Sequence, residues 1–107
     1  MGRMKSALQG DPEAQRDLGV CFFYGEGVHK NPAEAVKWYR RAAKQCDAKA
    51  QYNLALCYEH GDGVRKNWRQ ALMLFSAASR NGHLASRARI RELKRTPKVR
   101  LSQAALR

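Results

Sequence analysis

Ala14, Leu18, Cys21 and Phe22 stand at i, i+4, i+7 and i+8. That spacing puts all four on one face of an α-helix. Asp11 is a suitable N-cap, Pro12 fits the first turn, where its missing N–H costs nothing, and Gly25 can close the helix in the left-handed conformation. A second amphipathic segment follows, with Ala35, Trp38, Tyr39 and Ala42 on its apolar face. Asn31 is placed to cap it, and Glu34 three residues on gives the spacing of a capping box, in which each side chain satisfies the other residue's orphan N–H. The pattern then returns. Ala50, Leu54 and Cys57 predict a third helix; Asn67 and Gln70 repeat the cap ahead of a fourth, which buries Ala71, Leu74, Phe75 and Ala78.

The return has a fixed period. Residues 11–46 and 47–82 align without a gap and are identical at 12 of 36 positions, among them Asp11/Asp47, Gln15/Gln51, Cys21/Cys57, Gly25/Gly61 and Asn31/Asn67. Self-similarity at this interval is the mark of a solenoid, here an all-α one built from antiparallel helix hairpins. The period also decides how to read GEGVHKN (25–31) and its echo GDGVRKN (61–67), whose paired glycines beside a lysine could suggest a phosphate cradle. Neither copy completes G-x-G-x-x-G, since Lys30 or Lys66 takes the last position; neither ends in the GK[ST] of a P-loop, and no strand precedes them. They are read as turns between helices.

The ends fit partial units. Residues 4–9 align with the end of a second helix, and Ser86, Ile90 and Leu93 continue the register of Ala50, Leu54 and Cys57. Residues 83–94 are therefore expected to form a capping helix that Pro97 ends. The domain is expected over 1–97, with 98–107 a basic tail that is either a short helix or disordered. Two full hairpins and a cap are near the minimum for a stable stack, which leaves self-association at the amino-terminal edge open.

Several pieces of each unit closely resemble the Sel-one-like repeat, a tetratricopeptide-like hairpin: Ala14-Gln15 with Leu18-Gly19, Tyr24-Gly25-x-Gly27-Val28, and Ala35-x-x-Trp38-Tyr39-x-x-Ala42-Ala43. Ala50-Gln51-Tyr52-Asn53-Leu54, Gly61-x-Gly63-Val64 and Ala71-x-x-Leu74-Phe75-x-x-Ala78 supply the second copy, and the resemblance covers residues 10–82. It departs where Gly19 becomes Ala55 and where the Gly10 position becomes Cys46. Some secreted members staple each hairpin with paired cysteines; here Gln15 and Ala43 stand instead, which favours a reduced, cytoplasmic protein. Such families bind partners mainly on the concave face of their first helices. That resemblance implies an adaptor or scaffold that holds a peptide or helix of another protein, with Asp17, Val20 and Phe23 from the first hairpin and Asn53, Leu56 and Glu59 from the second projecting there. Asn53 would contact the partner's backbone and Phe23 would be an apolar anchor.

Composition changes this picture in one respect. The net charge is +12, and residues 87–107 carry 8 Lys/Arg against 1 Asp/Glu, so more than half the excess lies in the last fifth of the chain. On a helix, Arg87, Arg91, Lys94 and Arg95 form a basic stripe on a different face from Ile90 and Leu93, with Lys98 and Arg100 beyond it. The alternative function is therefore binding of nucleic acid or another acidic surface. No aromatic interleaves the stripe for base stacking. Catalytic chemistry finds no footing: acidic residues sit mostly at helix starts, and no nucleophile and base are paired. Cys57 and His60 are too few for a zinc site, and no cofactor is implied. No segment is apolar enough to span a membrane or to serve as a secretory signal, again favouring an intracellular setting. Met1-Gly2 with Ser6 matches the short myristoylation pattern.

Overall fold

The computed structural model describes residues 2–96, with side-chain surroundings from Met4 onward. The tail over 98–107, including Lys98 and Arg100, lies outside the described residues, as does Pro97. Among the described residues six helices follow one another: α1 (Gly2–Leu8), α2 (Pro12–Tyr24), α3 (Pro32–Lys44), α4 (Ala48–His60), α5 (Trp68–Arg80) and α6 (Ala85–Arg95). Each packs substantially only on its neighbours in sequence, which is the connectivity of a solenoid. The helical class, the hairpins α2–α3 and α4–α5, and the terminal half-units all follow the sequence period.

The caps explain the boundaries. Asp11 and Asp47 accept hydrogen bonds from Glu13 N and Ala50 N, while Gly25 (φ 76°) and Gly61 (φ 75°) close α2 and α4 by donating to the carbonyls of Cys21 and Cys57. Asn31 and Asn67 cap α3 and α5 by accepting from Glu34 N and Gln70 N. The return half of the expected capping box does not form. The turn swings the Asn31 and Asn67 N–H groups onto the carbonyls of Phe22 (2.7 Å) and Tyr58 (2.8 Å), so each is satisfied by the other helix of its hairpin. Glu34 is left to pair with Lys37.

Three apolar clusters fill the spaces between layers. Ala7, Ala14, Leu18 and Trp38 join the first three helices; Ala35, Val36, Tyr39, Ala42 and Ala43 meet Ala50, Leu54 and Cys57 between the hairpins; Ala55, Ala71, Phe75 and Leu93 seal α6 to the second hairpin. Ser86 is fully buried, so α6 continues the register predicted from Ala50, Leu54 and Cys57. Leu74 and Tyr58 are only half-buried, and the Tyr58 hydroxyl accepts from Arg40 Nη2 at 3.0 Å, which brings its polar end out of the core.

Polar contacts repeat with the fold. Buried Gln15 donates to the Ala7 carbonyl, and its Oε1 accepts from Gln45; buried Gln51 donates to Ala43 and accepts from Asn81. Arg87, at the third equivalent position, reaches Ser79 Oγ at 3.4 Å. Arg16 pairs with Asp47 at 3.0 Å, and the same station in the next unit is a Tyr52–His83 ring contact with centroids 4.3 Å apart.

Two backbone positions have measurable consequences. The second residue after α1, α3 and α5 adopts positive φ: Gly10 at 97°, Cys46 at 65° and Gly82 at 99°. Cys46 is the non-glycine there and carries the steric cost of a left-handed Cβ. Cys46→Gly is expected to raise stability by about 1 kcal/mol, read as a higher urea midpoint at unchanged m-value. Gly63 presses on the start of α3, where a Cβ would stand 2.4 Å from the Pro32 carbonyl oxygen, whereas one on Gly27 would meet nothing within 4 Å. Both glycines have positive φ, so Gly27→Ala should cost about 1 kcal/mol, and Gly63→Ala a further ~1–3 kcal/mol of steric conflict in the same denaturation assay.

Candidate functional site

The first helices of the two hairpins, α2 and α4, flank a shallow cleft of about 140 Å³. Phe23 and Tyr24 reach it from the last turn of α2, Asn53 and Leu56 from α4, and Tyr39 from α3. His60 and Asp62, at the end of α4 and in the turn after it, complete the wall beside Cys57. The Phe23 and Tyr24 rings meet edge-on at 5.0 Å. Tyr24 is 66% exposed and Tyr39 only 3%, so the cleft has one exposed ring and one buried in the core. Burial, reinforced by Cys57 and Tyr24, raises the Tyr39 phenol above its ordinary value. Burial first, and then the Asp62 carboxylate, push the Cys57 thiol up to about 12.

Of the six residues expected on this face, Phe23, Asn53 and Leu56 are brought together in the cleft. Asp17 stands 3.8 Å from the Arg16 guanidinium, and Val20 packs against the core between the hairpins. Neither lines the cleft. Glu59 is taken up internally: Arg89 of α6 donates through Nη2 to Glu59 and through Nη1 to Glu92. The Glu59 hydrogen bond raises the Arg89 pKa against the opposing effect of burial, and the pair ties α6 to α4. Tyr24, Tyr39, His60 and Asp62 were not anticipated as lining. Tyr24 and Asp62 belong to the turn signature, which reads as punctuation, and Tyr39, in the middle of α3, as core; the signal available for Tyr24, His60 and Asp62 was that they stand at the end of a first helix.

On α6, Arg87, Arg91, Lys94 and Arg95 are all exposed, as the helical stripe requires. Arg87 is engaged with Ser79, while Arg91, Lys94 and Arg95 form no ion pair with another described residue. Among the described residues, no three His, Cys, Asp or Glu side chains converge as a metal site, and no helix is long and apolar enough to cross a membrane.

The profile of the Sel1 repeat matches residues 12–45 and 48–83, nearly two whole hairpins. The chain belongs to the Sel1 repeat family. Three solved structures agree with this. A Sel1 repeat protein from Oxalobacter formigenes is 38% identical with a TM-score of 0.78, over 80% of this chain and 35% of its own. A protective antigen present in uropathogenic Escherichia coli strains, which displays an SLR fold, is 39% identical with a TM-score of 0.77, over 78% of this chain and 18% of its own. Cysteine-rich protein B of Helicobacter pylori is 27% identical with a TM-score of 0.78, over 80% of this chain and 65% of its own. The chain thus spans less than two thirds of each. No curated protein matches it significantly. Sel1 repeat proteins generally mediate protein–protein interaction and are generally non-catalytic scaffolds.

The cysteines give a direct check on the site. Cys57 is 1% exposed and Cys46 exposed, so a thiol reagent at neutral pH should modify Cys46 rapidly in the native protein and Cys57 only after unfolding. Because the native Cys57 thiol and Tyr39 phenol hold their protons above the ordinary values, the unfolded chain releases protons first as pH rises. Stability should therefore fall from about pH 9 upward, measurable as a declining urea midpoint.

Proposed function

We propose that this Sel1 repeat chain is a cytoplasmic, non-enzymatic adaptor that holds a peptide or helix of another protein in the cleft between α2 and α4. The observation that carries the reading is the convergence of Phe23, Asn53 and Leu56 there. An aromatic anchor, a side-chain amide and an aliphatic wall stand together on the exposed edge of consecutive first helices. The apolar surfaces give binding energy, and an amide at that position offers both a donor and an acceptor to a partner's backbone. The scaffold is rigid where it matters, since Tyr39 and Cys57 behind the cleft belong to the central core cluster. The expected cytoplasmic setting draws support from Gln15 and Ala43, which stand where stapling cysteines would be.

A second reading rests on Arg91, Lys94 and Arg95. Three cations without an acidic partner among the described residues favour an anionic surface, nucleic acid included. The two readings separate by experiment. Binding through the cleft should lose at least about tenfold in affinity on Phe23→Ala with Asn53→Ala and survive neutralisation of Arg91, Lys94 and Arg95 to Gln. Binding through α6 should show the reverse, together with a steep fall in affinity with salt. Isothermal titration against a partner identified by cross-linking in the native cell measures both, and a partner indifferent to either set of substitutions would rule out both surfaces.

A further inference from the structure

We propose that the cleft between α2 and α4 is a receptor for a cationic side chain, so that the partner segment it holds carries a lysine or arginine as its anchor. This rests on the reading of the cleft as the partner site and specifies what the site selects. The chemistry of the wall leads there. Three aromatic residues, Phe23, Tyr24 and Tyr39, line a space whose one carboxylate among the described residues is that of Asp62. The chain carries 21 Lys and Arg against 9 Asp and Glu, yet none of its described cations pairs with Asp62, although that residue is half-buried. The neighbouring carboxylates are treated differently: Glu59 holds Arg89, and Asp17 lies beside Arg16. Among the described residues no lysine or arginine contributes to the cleft wall.

The position of Asp62 is fixed by the fold. Its backbone N–H donates to the Cys57 carbonyl at 3.0 Å, closing the end of α4, and its carboxylate stands near enough to the buried thiol of Cys57 to disfavour ionisation there. A half-buried carboxylate in a cleft also lined by aromatic residues suits an alkylammonium or guanidinium group. The apolar stem of such a side chain covers Leu56 and Phe23, and its head gains both the ion pair and the attraction of the ring quadrupoles. A neutral apolar anchor would cover the same surface but leave the carboxylate partly desolvated and unpaired. An acidic anchor would be repelled. A volume of about 140 Å³ admits one side chain rather than a folded ligand. The basic face of α6 carries the opposite charge and would not select the same peptides.

A randomised peptide library selected on the immobilised full chain at near-physiological salt tests this, followed by affinities of the recovered peptides by fluorescence anisotropy. Recovered peptides should share a lysine or arginine, and replacing it with norleucine should weaken binding about tenfold. Asp62→Asn should cause a similar loss for the basic peptide and leave the norleucine peptide unchanged, while Phe23→Ala weakens both. If the peptides depend on Phe23 but contain no shared basic residue, or bind Asp62→Asn as tightly as the parent, the cationic anchor is wrong and the cleft remains a partner site. If the recovered peptides are acidic and indifferent to both Phe23 and Asp62, or if none binds, the cleft reading fails with it.

Discussion

The Gln15 and Gln51 side chains each sit where two helix ends meet a third helix, and their amides are buried. A buried amide without partners would cost several kcal/mol, so its environment must supply both a donor and an acceptor in fixed positions. Each glutamine finds an acceptor in the last turns of the second helix of the preceding unit and a donor just past the second helix of its own. One side chain thereby fixes the spacing within a hairpin and the stacking between units. The apolar clusters supply most of the free energy of association, but alanines and leucines tolerate sliding; a bifunctional amide does not. The positions of the cleft and of α6 inherit their precision from this constraint, because both depend on how the second hairpin is set against the first.

Periodicity made the helices legible, and with them the caps, the 36-residue unit and the register of the terminal helix. It reports which face of a helix is buried and which residue types can start or stop it. It does not report which side chains meet across units. Gln15 and Gln51 were visible as identities, but their bonds to Ala7 and Ala43 join residues eight apart through a turn, where no helical rule applies. Arg16 and Asp47 are exchanged for Tyr52 and His83 in the next unit, so an ion pair becomes a ring contact with no shared residue type to mark the equivalence. The engagement of Glu59 by Arg89 was hidden for the same reason. The capping box failed on the geometry of the turn, which offers each asparagine N–H a nearer carbonyl.

The candidate surface was legible only in part, and the division is instructive. Phe23, Asn53 and Leu56 could be placed by their position on the first helices. Tyr24 and Asp62 belong to the segment that defines the turn, and a residue with an evident structural explanation is easily given no other. Here the end of a first helix is both a stop signal and the rim of the proposed cleft, so the two readings fall on the same few residues. The strong positive charge of the whole chain also obscures a cleft whose local charge is negative. Global charge governs encounter at a distance, while the groups within contact range govern what stays bound.

The seating of Gly63 against Pro32 makes the two turns unequal in what they can tolerate. The second works as a spacer, gauging the pitch between units by backbone touching backbone. At the first turn a side chain on Gly27 would meet no described residue within 4 Å, so among the described residues that turn gauges no neighbour. Length variation, a grafted epitope or a fluorescent insertion belongs in the first turn, where it would alter only a local reversal of the chain. The same insertion in the second would be transmitted to every unit stacked beyond it.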